Sequence, residues 1–338
     1  FYLKEYWLSK KSLDTLLEID STNVDALYLL IDCYTAIAKR SKSKLRPDLA
    51  KKNMAEAELL LNELTNLSEP SDRLYYQCAY VKQQSSTHLD NKEDIYQKRN
   101  EALEFLSKAL SINPKHIPSL RSKGYISEKM NLIEEAIKIY KICVDYSPYD
   151  NVNYFLLGRI HQKRKEYEEA IIYYEKCLKI KEHTNASHNI GVIYMNLYVN
   201  ATKNRQFDKR KYFYEMAESY LIRADNLNSS KDIVVRQNLS RLYSSSKQFN
   251  KAIEIQKSIV NQRPSYIESY SAIAHTFTKM KDFDNAITYL LKGLSFSKKD
   301  NLTMISQLAV AYSSRIENNY NEADFNEAEK LFRYIISE

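Results

Sequence analysis

The stretch Ile117–Lys181, IPSLRSKGYISEKMNLIEEAIKIYKICVDYSPYDNVNYFLLGRIHQKRKEYEEAIIYYEKCLKIK, is one unit written twice. Gly124 is matched 34 residues later by Gly158, Ala136 by Ala170, Tyr140 by Tyr174 and Cys143 by Cys177. Pro148 closes the first copy, and Pro114 stands 34 residues before it. A fixed spacing that keeps small residues on small and aromatic on aromatic marks a stacked repeat. The same punctuation recurs outside the pair. Gly191 falls at the position of Gly124 and Gly158, and Pro264 at that of Pro114 and Pro148.

In this register the units resemble the tetratricopeptide repeat. That family builds each unit from two antiparallel helices, A and B. Helix A carries a large residue at position 4, Leu-Gly at 7 and 8, and Tyr at 11. Helix B carries Ala at 20, an aromatic at 24 and Ala at 27, with Pro at 32. With position 1 at Asn151, this chain has Tyr154, Leu157, Gly158, Ala170, Tyr174 and Cys177 in those places. It departs at His161, which replaces the Tyr, and at Glu182, which replaces the Pro. The small residues belong where helices A and B cross, since a larger side chain would hold the axes apart. The Pro cannot continue helix B. The resemblance implies an all-α, right-handed superhelical solenoid of helix-turn-helix repeats.

Composition agrees with an all-helical chain. Only 4 Gly and 6 Pro occur in 338 residues, too few for the tight turns of a sheet protein, while the 28 Tyr supply the aromatic slots. A solenoid also accommodates this length without one large core. The chain reads as a single array. Residues 1–23 form a partial repeat, followed by repeats at 24–70, 71–116, 117–150, 151–183, 184–232, 233–266, 267–301 and 302–338. Insertions lie near 35–56, 85–98, 195–215 and 314–324. Tyr6, Trp7 and Leu8 open the chain, and Leu331, Phe332, Ile335 and Ile336 close it. Such apolar ends imply an excerpt of a longer array that self-associates through its end repeats.

No catalytic constellation is legible. There is no Gly-rich phosphate loop, no His-Glu-x-x-His and no Cys-x-x-Cys, so no enzyme activity, metal or cofactor is expected. Glu134, Glu135, Glu168 and Glu169 open B helices, where acids complement the helix dipole. Cys33, Cys78, Cys143 and Cys177 read as packed thiols. With no leader pattern and no span long and apolar enough for a bilayer, an intracellular, cytoplasmic setting (nuclear in a eukaryote) and no membrane partner are expected.

The resemblance places a concave groove along helix A. Mapped onto this chain, it includes Arg121, Tyr125, Arg159, Gln162, His188, Asn189, Gln237, Asn238, Arg241 and His275. The Lys-Asn-Arg set with which some members grip a peptide C-terminus is not reproduced, as position 5 reads Arg121, Phe155, His188, Gln237 and Ser271. The net charge of +7 collects in part on the edge holding the A-to-B turns, as a rim of Lys42, Lys44, Arg164, Lys203, Arg205, Lys209, Arg210 and Lys211, with Lys279 and Lys281 on the same edge. Three roles fit. The leading one is a non-catalytic scaffold or sensor arm binding another protein or an acidic extended peptide in its groove. The others are an RNA binder using the basic rim, and a regulatory arm of an enzyme whose catalytic domain lies outside these residues.

Overall fold

A computed structural model describes residues 2–43, 46–229, 232–297 and 301–337, and among them it contains seventeen α-helices and no strand. Two compact units are formed, Phe1–Ile180 and Lys181–Glu338. The first holds α1 (Tyr2–Ile19) and four hairpins: α2 (Val24–Ser43) with α3 (Pro47–Leu67), α4 (Asp72–Ser86) with α5 (Lys92–Ile112), α6 (Ile117–Lys129) with α7 (Ile133–Tyr146), and α8 (Asn151–Lys163) with α9 (Tyr167–Ile180). The second holds four more: α10 (Thr184–Lys203) with α11 (Phe207–Leu227), α12 (Ile233–Ser245) with α13 (Phe249–Gln262), α14 (Ile267–Lys279) with α15 (Phe283–Leu294), and α16 (Leu302–Asn318) with α17 (Glu322–Ser337). Within each unit, every hairpin packs most closely within itself and then on the next, the neighbour-on-neighbour arrangement of a solenoid.

The repeated slots are the core. Ala136, Tyr140, Cys143, Ala170, Tyr174 and Cys177 are all fully buried, as are Ala217, Leu221 and Ala224 in the second unit. The glycine of helix A lies flat against the residue at position 24 of helix B. A Cβ on Gly158 would sit 2.6 Å from Tyr174 Cδ1, and one on Gly124 would sit 2.5 Å from Tyr140 Cε1. The bulky ring at one position therefore requires the missing side chain at the other.

Helix ends follow local chemistry. Asp150 and Asp232 accept hydrogen bonds from the first amides of α8 and α12, and Ser71 and Asn301 do the same for α4 and α16. Pro114, Pro148 and Pro264 each stand two residues beyond the last residue of α5, α7 and α13. His161, in the place of the usual Tyr, stacks on Tyr173 at 5.2 Å and bonds Glu166 through Nδ1 at 2.6 Å.

The extra residues read as insertions are mostly helix. They lengthen α2 and α3 to 20 and 21 residues and α10 and α11 to 20 and 21, where α8 and α9 have 13 and 14. Five of the hairpin turns are closed by a residue with positive φ: Asn131, Lys165, Arg205, Lys247 and Lys281. This left-handed conformation is uncommon outside Gly and Asn. Four of the five are cations, which the turn leaves pointing outward from the end of an A helix.

All four cysteines are buried and free. Burial pushes the thiols of Cys78, Cys143 and Cys177 up to about 11, and that of Cys33 upward as well. Because the thiolate is the reactive form, the folded chain at pH 8 should alkylate far more slowly than the urea-unfolded chain. Mass-spectrometric counting of iodoacetamide adducts should find all four thiols protected. Rapid native labelling of Cys143 or Cys177 would contradict their place in the core.

Candidate functional site

In the first unit the groove residues named by the sequence are tied to the fold. Arg121 on α6 donates from Nε to Asn153 Oδ1 at 2.8 Å and pairs with Asp150 at 2.5 Å. Asn153, fully buried on α8, donates in turn to the carbonyls of Cys143 and Ser147. Arg159 on α8 reaches back to Glu128 on α6 at 2.5 Å. The Glu128 side chain is only 8% exposed, and Lys163 lies 3.8 Å from its other oxygen. Gln162 accepts from the Tyr174 hydroxyl at 2.6 Å, and the half-buried Tyr125 packs beside Leu106 and Ile126. Arg121 and Arg159 fasten the successive A helices α6 and α8 to one another. Arg159, expected only as a groove residue, is thus also structural, because its removal strands a buried carboxylate.

The second unit is arranged differently. His188 on α10 and Asn238 on α12 meet at 2.8 Å, and burial lowers the pKa of His188. Asn189 is half-buried on α10. Gln237 donates to the Tyr266 hydroxyl at 3.1 Å. Past these links the faces of α12, α14 and α16 enclose a cavity of about 660 Å³. Gln237, Asn238, Arg241 and His275 all line it, so four of the ten expected groove residues converge on one hollow. Arg241 and His275 are exposed at its surface, and neither has a carboxylate partner among the described residues.

The cavity also takes in residues beyond those ten. Lys279, read as part of the rim, ends α14 and lines the hollow, where its ammonium donates to Ser244 Oγ at 3.4 Å. Ser271 donates to Gln307 at 2.7 Å, which links α14 to α16. Glu268 is the one acid in the lining. The signal was present in the spacing, since Gln237, Arg241 and Ser244 share one face of a helix and so do Glu268, Ser271, His275 and Lys279. Desolvation against α14 and its neighbours, and then the nearby Lys279, lower the pKa of His275. A smaller cavity of about 200 Å³ adjoins, shares His275 and Gln307, and adds Ala274, Leu290 and Val310.

The rim residues divide as well. Arg164 is taken up by Glu134 and Glu166, and Lys42 donates to the carbonyl of Thr87. Lys44 lies outside the described residues. Lys203, Arg205, Lys209, Arg210 and Lys211 are all exposed at the α10–α11 turn. Among the described residues their one ion pair is a long one, Lys211 to Glu215 at 3.9 Å.

The family model described as tetratricopeptide repeat matches residues 153–184 and 267–300. The chain thus carries tetratricopeptide repeats. The second matched repeat contains α14, the central wall of the cavity. Curated relatives include the human protein O-mannosyl-transferase TMTC3, 27% identical over 172 residues, which are 46% of this chain and 18% of that protein. Another is human tetratricopeptide repeat protein 17, 31% identical over 100 residues, which are 28% of this chain and 9% of that protein. The chain thus spans less than a fifth of the length of these relatives. Among solved structures, yeast Tom70 superposes with a TM-score of 0.59 at 13% identity, covering 94% of this chain and 60% of that one. The Cut9–Hcn1 assembly of the APC/C gives 0.53 at 16% identity, covering 92% and 54%. At such identities the likeness is one of fold. Fold and homology together support a role as a protein–protein interaction scaffold.

Proposed function

We propose that this tetratricopeptide-repeat array holds an extended, acidic segment of a partner protein in the cavity between α12, α14 and α16. The observation that supports this reading is the convergence of the cations Arg241 and Lys279 on one open hollow, with His275 as a hydrogen-bonding neighbour and the single acid Glu268 among them. Arg241 has no carboxylate partner there, in contrast to Arg121 and Arg159, which already have one. A planar guanidinium binds a carboxylate through two parallel hydrogen bonds. Gln237, Ser271 and Gln307 supply donors and acceptors for a peptide backbone. The apolar side cavity would take a small hydrophobic side chain next to the acidic one.

Selection of a random dodecapeptide display library on the chain tests this. Enriched peptides should carry Asp or Glu, and a chain with Arg241→Ala should fail to recover them. Enrichment of basic or purely apolar peptides would overturn the reading.

A further inference from the structure

A second surface in the same unit has no part in the cavity. The α10–α11 hairpin outreaches its neighbour, with helices of 20 and 21 residues against 13 and 14 for α12 and α13. The α12–α13 turn docks part-way along it. There the Tyr198 hydroxyl donates to the carbonyl of Ser245 at 3.4 Å, and Gln248 donates to the Tyr214 hydroxyl at 2.5 Å. Beyond those contacts the hairpin projects by about 10 Å, the rise of the added residues. Every residue from Thr202 to Tyr212 is exposed.

The tip has a definite composition. Lys203, Arg205, Lys209, Arg210 and Lys211 face one acid, Asp208. Phe207 is 64% exposed among them and Tyr212 is 50% exposed. A large aromatic side chain held in water at the end of a cationic knob needs a partner that is anionic outside and apolar just beneath. We infer that this tip docks on an anionic lipid surface, with the cations over the head groups and Phe207 entering the interface.

The shape favours this over nucleic acid. Single strands are bound in grooves floored by open aromatic faces, whereas this tip is convex and the Arg210 guanidinium already covers the Phe207 ring at 5.5 Å. A convex knob meets a flat surface well. Each cation near an anionic leaflet strengthens binding by roughly fivefold, and one such patch gives reversible attachment rather than a permanent anchor. Peripheral contact needs no spanning helix, and no described helix is long and apolar enough to cross a membrane.

Sedimentation of the chain with phosphatidylserine–phosphatidylcholine vesicles, against phosphatidylcholine alone, tests the inference. The chain should pellet with the anionic vesicles only, and added salt should release it. Lys209→Glu, Arg210→Glu and Lys211→Glu together should weaken binding by at least about tenfold. The milder pair Lys203→Gln and Lys209→Gln should weaken it less, and circular dichroism should report unchanged helicity for both. With Trp7→Phe as background, Phe207→Trp should shift its emission to the blue on anionic vesicles. Equal binding to both vesicles, no binding to either, or undiminished binding by the triple variant would overturn the inference. So would tighter binding of a labelled single-stranded RNA oligonucleotide, lost in the same triple variant, which would assign the tip to nucleic acid.

Discussion

Gly158→Leu should lower the stability of the first unit by about 3 kcal/mol, read as a fall in the urea midpoint. A Cβ at this position already meets the Tyr174 ring at 2.6–2.9 Å, and Leu adds three more carbons to that contact. The ring cannot swing away cheaply. Tyr174 is fully buried, and its hydroxyl is held by Gln162. The new side chain must therefore separate α8 from α9, and that misfit spreads to the preceding hairpin, whose α7 packs on α8, because solenoid units brace one another. Gly158→Ala separates crowding from helix propensity. Its single methyl also strikes the ring, but Ala regains roughly 1 kcal/mol of propensity over Gly. The loss should thus be much smaller. An unchanged midpoint for the Leu variant would mean that the two helices are not packed as described.

Arg159→Ala should cost about 1–3 kcal/mol. Breaking a buried ion pair by removing one partner leaves the other charge without compensation, at roughly 3–5 kcal/mol when both are fully buried. Here Glu128 is 8% exposed but Arg159 is 34% exposed, and Lys163 stands near the second carboxylate oxygen, so screening reduces the effect. Glu128→Gln added to Arg159→Ala should recover much of the loss, because it removes the stranded charge. If Arg159→Ala left the thermal midpoint unchanged, Glu128 would have to be hydrated in solution, contrary to its burial.

The residues that the sequence made plain are those with one possible job. A Gly opposite a Tyr, an Ala at every crossing and a Pro two residues past a helix each satisfy a steric rule that repeats with the unit. Hence Gly124, Ala170, Cys177 and Pro148 could be placed from spacing alone. Arg121 and Arg159 could not be. A helix-A arginine on an inner face looks the same in sequence whether it awaits a ligand or a carboxylate one hairpin away. The deciding partners, Asp150 and Glu128, stand 29 and 31 residues from them in the chain. Arg241 occupies a like face of α12 and has no such partner, which only the packed hairpins reveal. Lys279 was read for the rim alone for a related reason: the last turn of an A helix borders both the rim and the hollow. The added residues near 195–215 were legible as an excess over the repeat, but the projecting helical tip they build depends on the shorter α12–α13 hairpin beside it.

The central claim is that a partner's acidic segment lies in the hollow between α12, α14 and α16. Isothermal titration of a display-selected acidic peptide into the wild-type chain and into Arg241→Ala tests it most directly. Loss of one charge-assisted hydrogen-bonding group is worth about 1–3 kcal/mol. The account therefore predicts affinity lower by about tenfold to a hundredfold, with an unchanged melting temperature. Equal affinity for both chains, with binding lost instead on substitution at the α10–α11 tip or on an outer helix face, would contradict it.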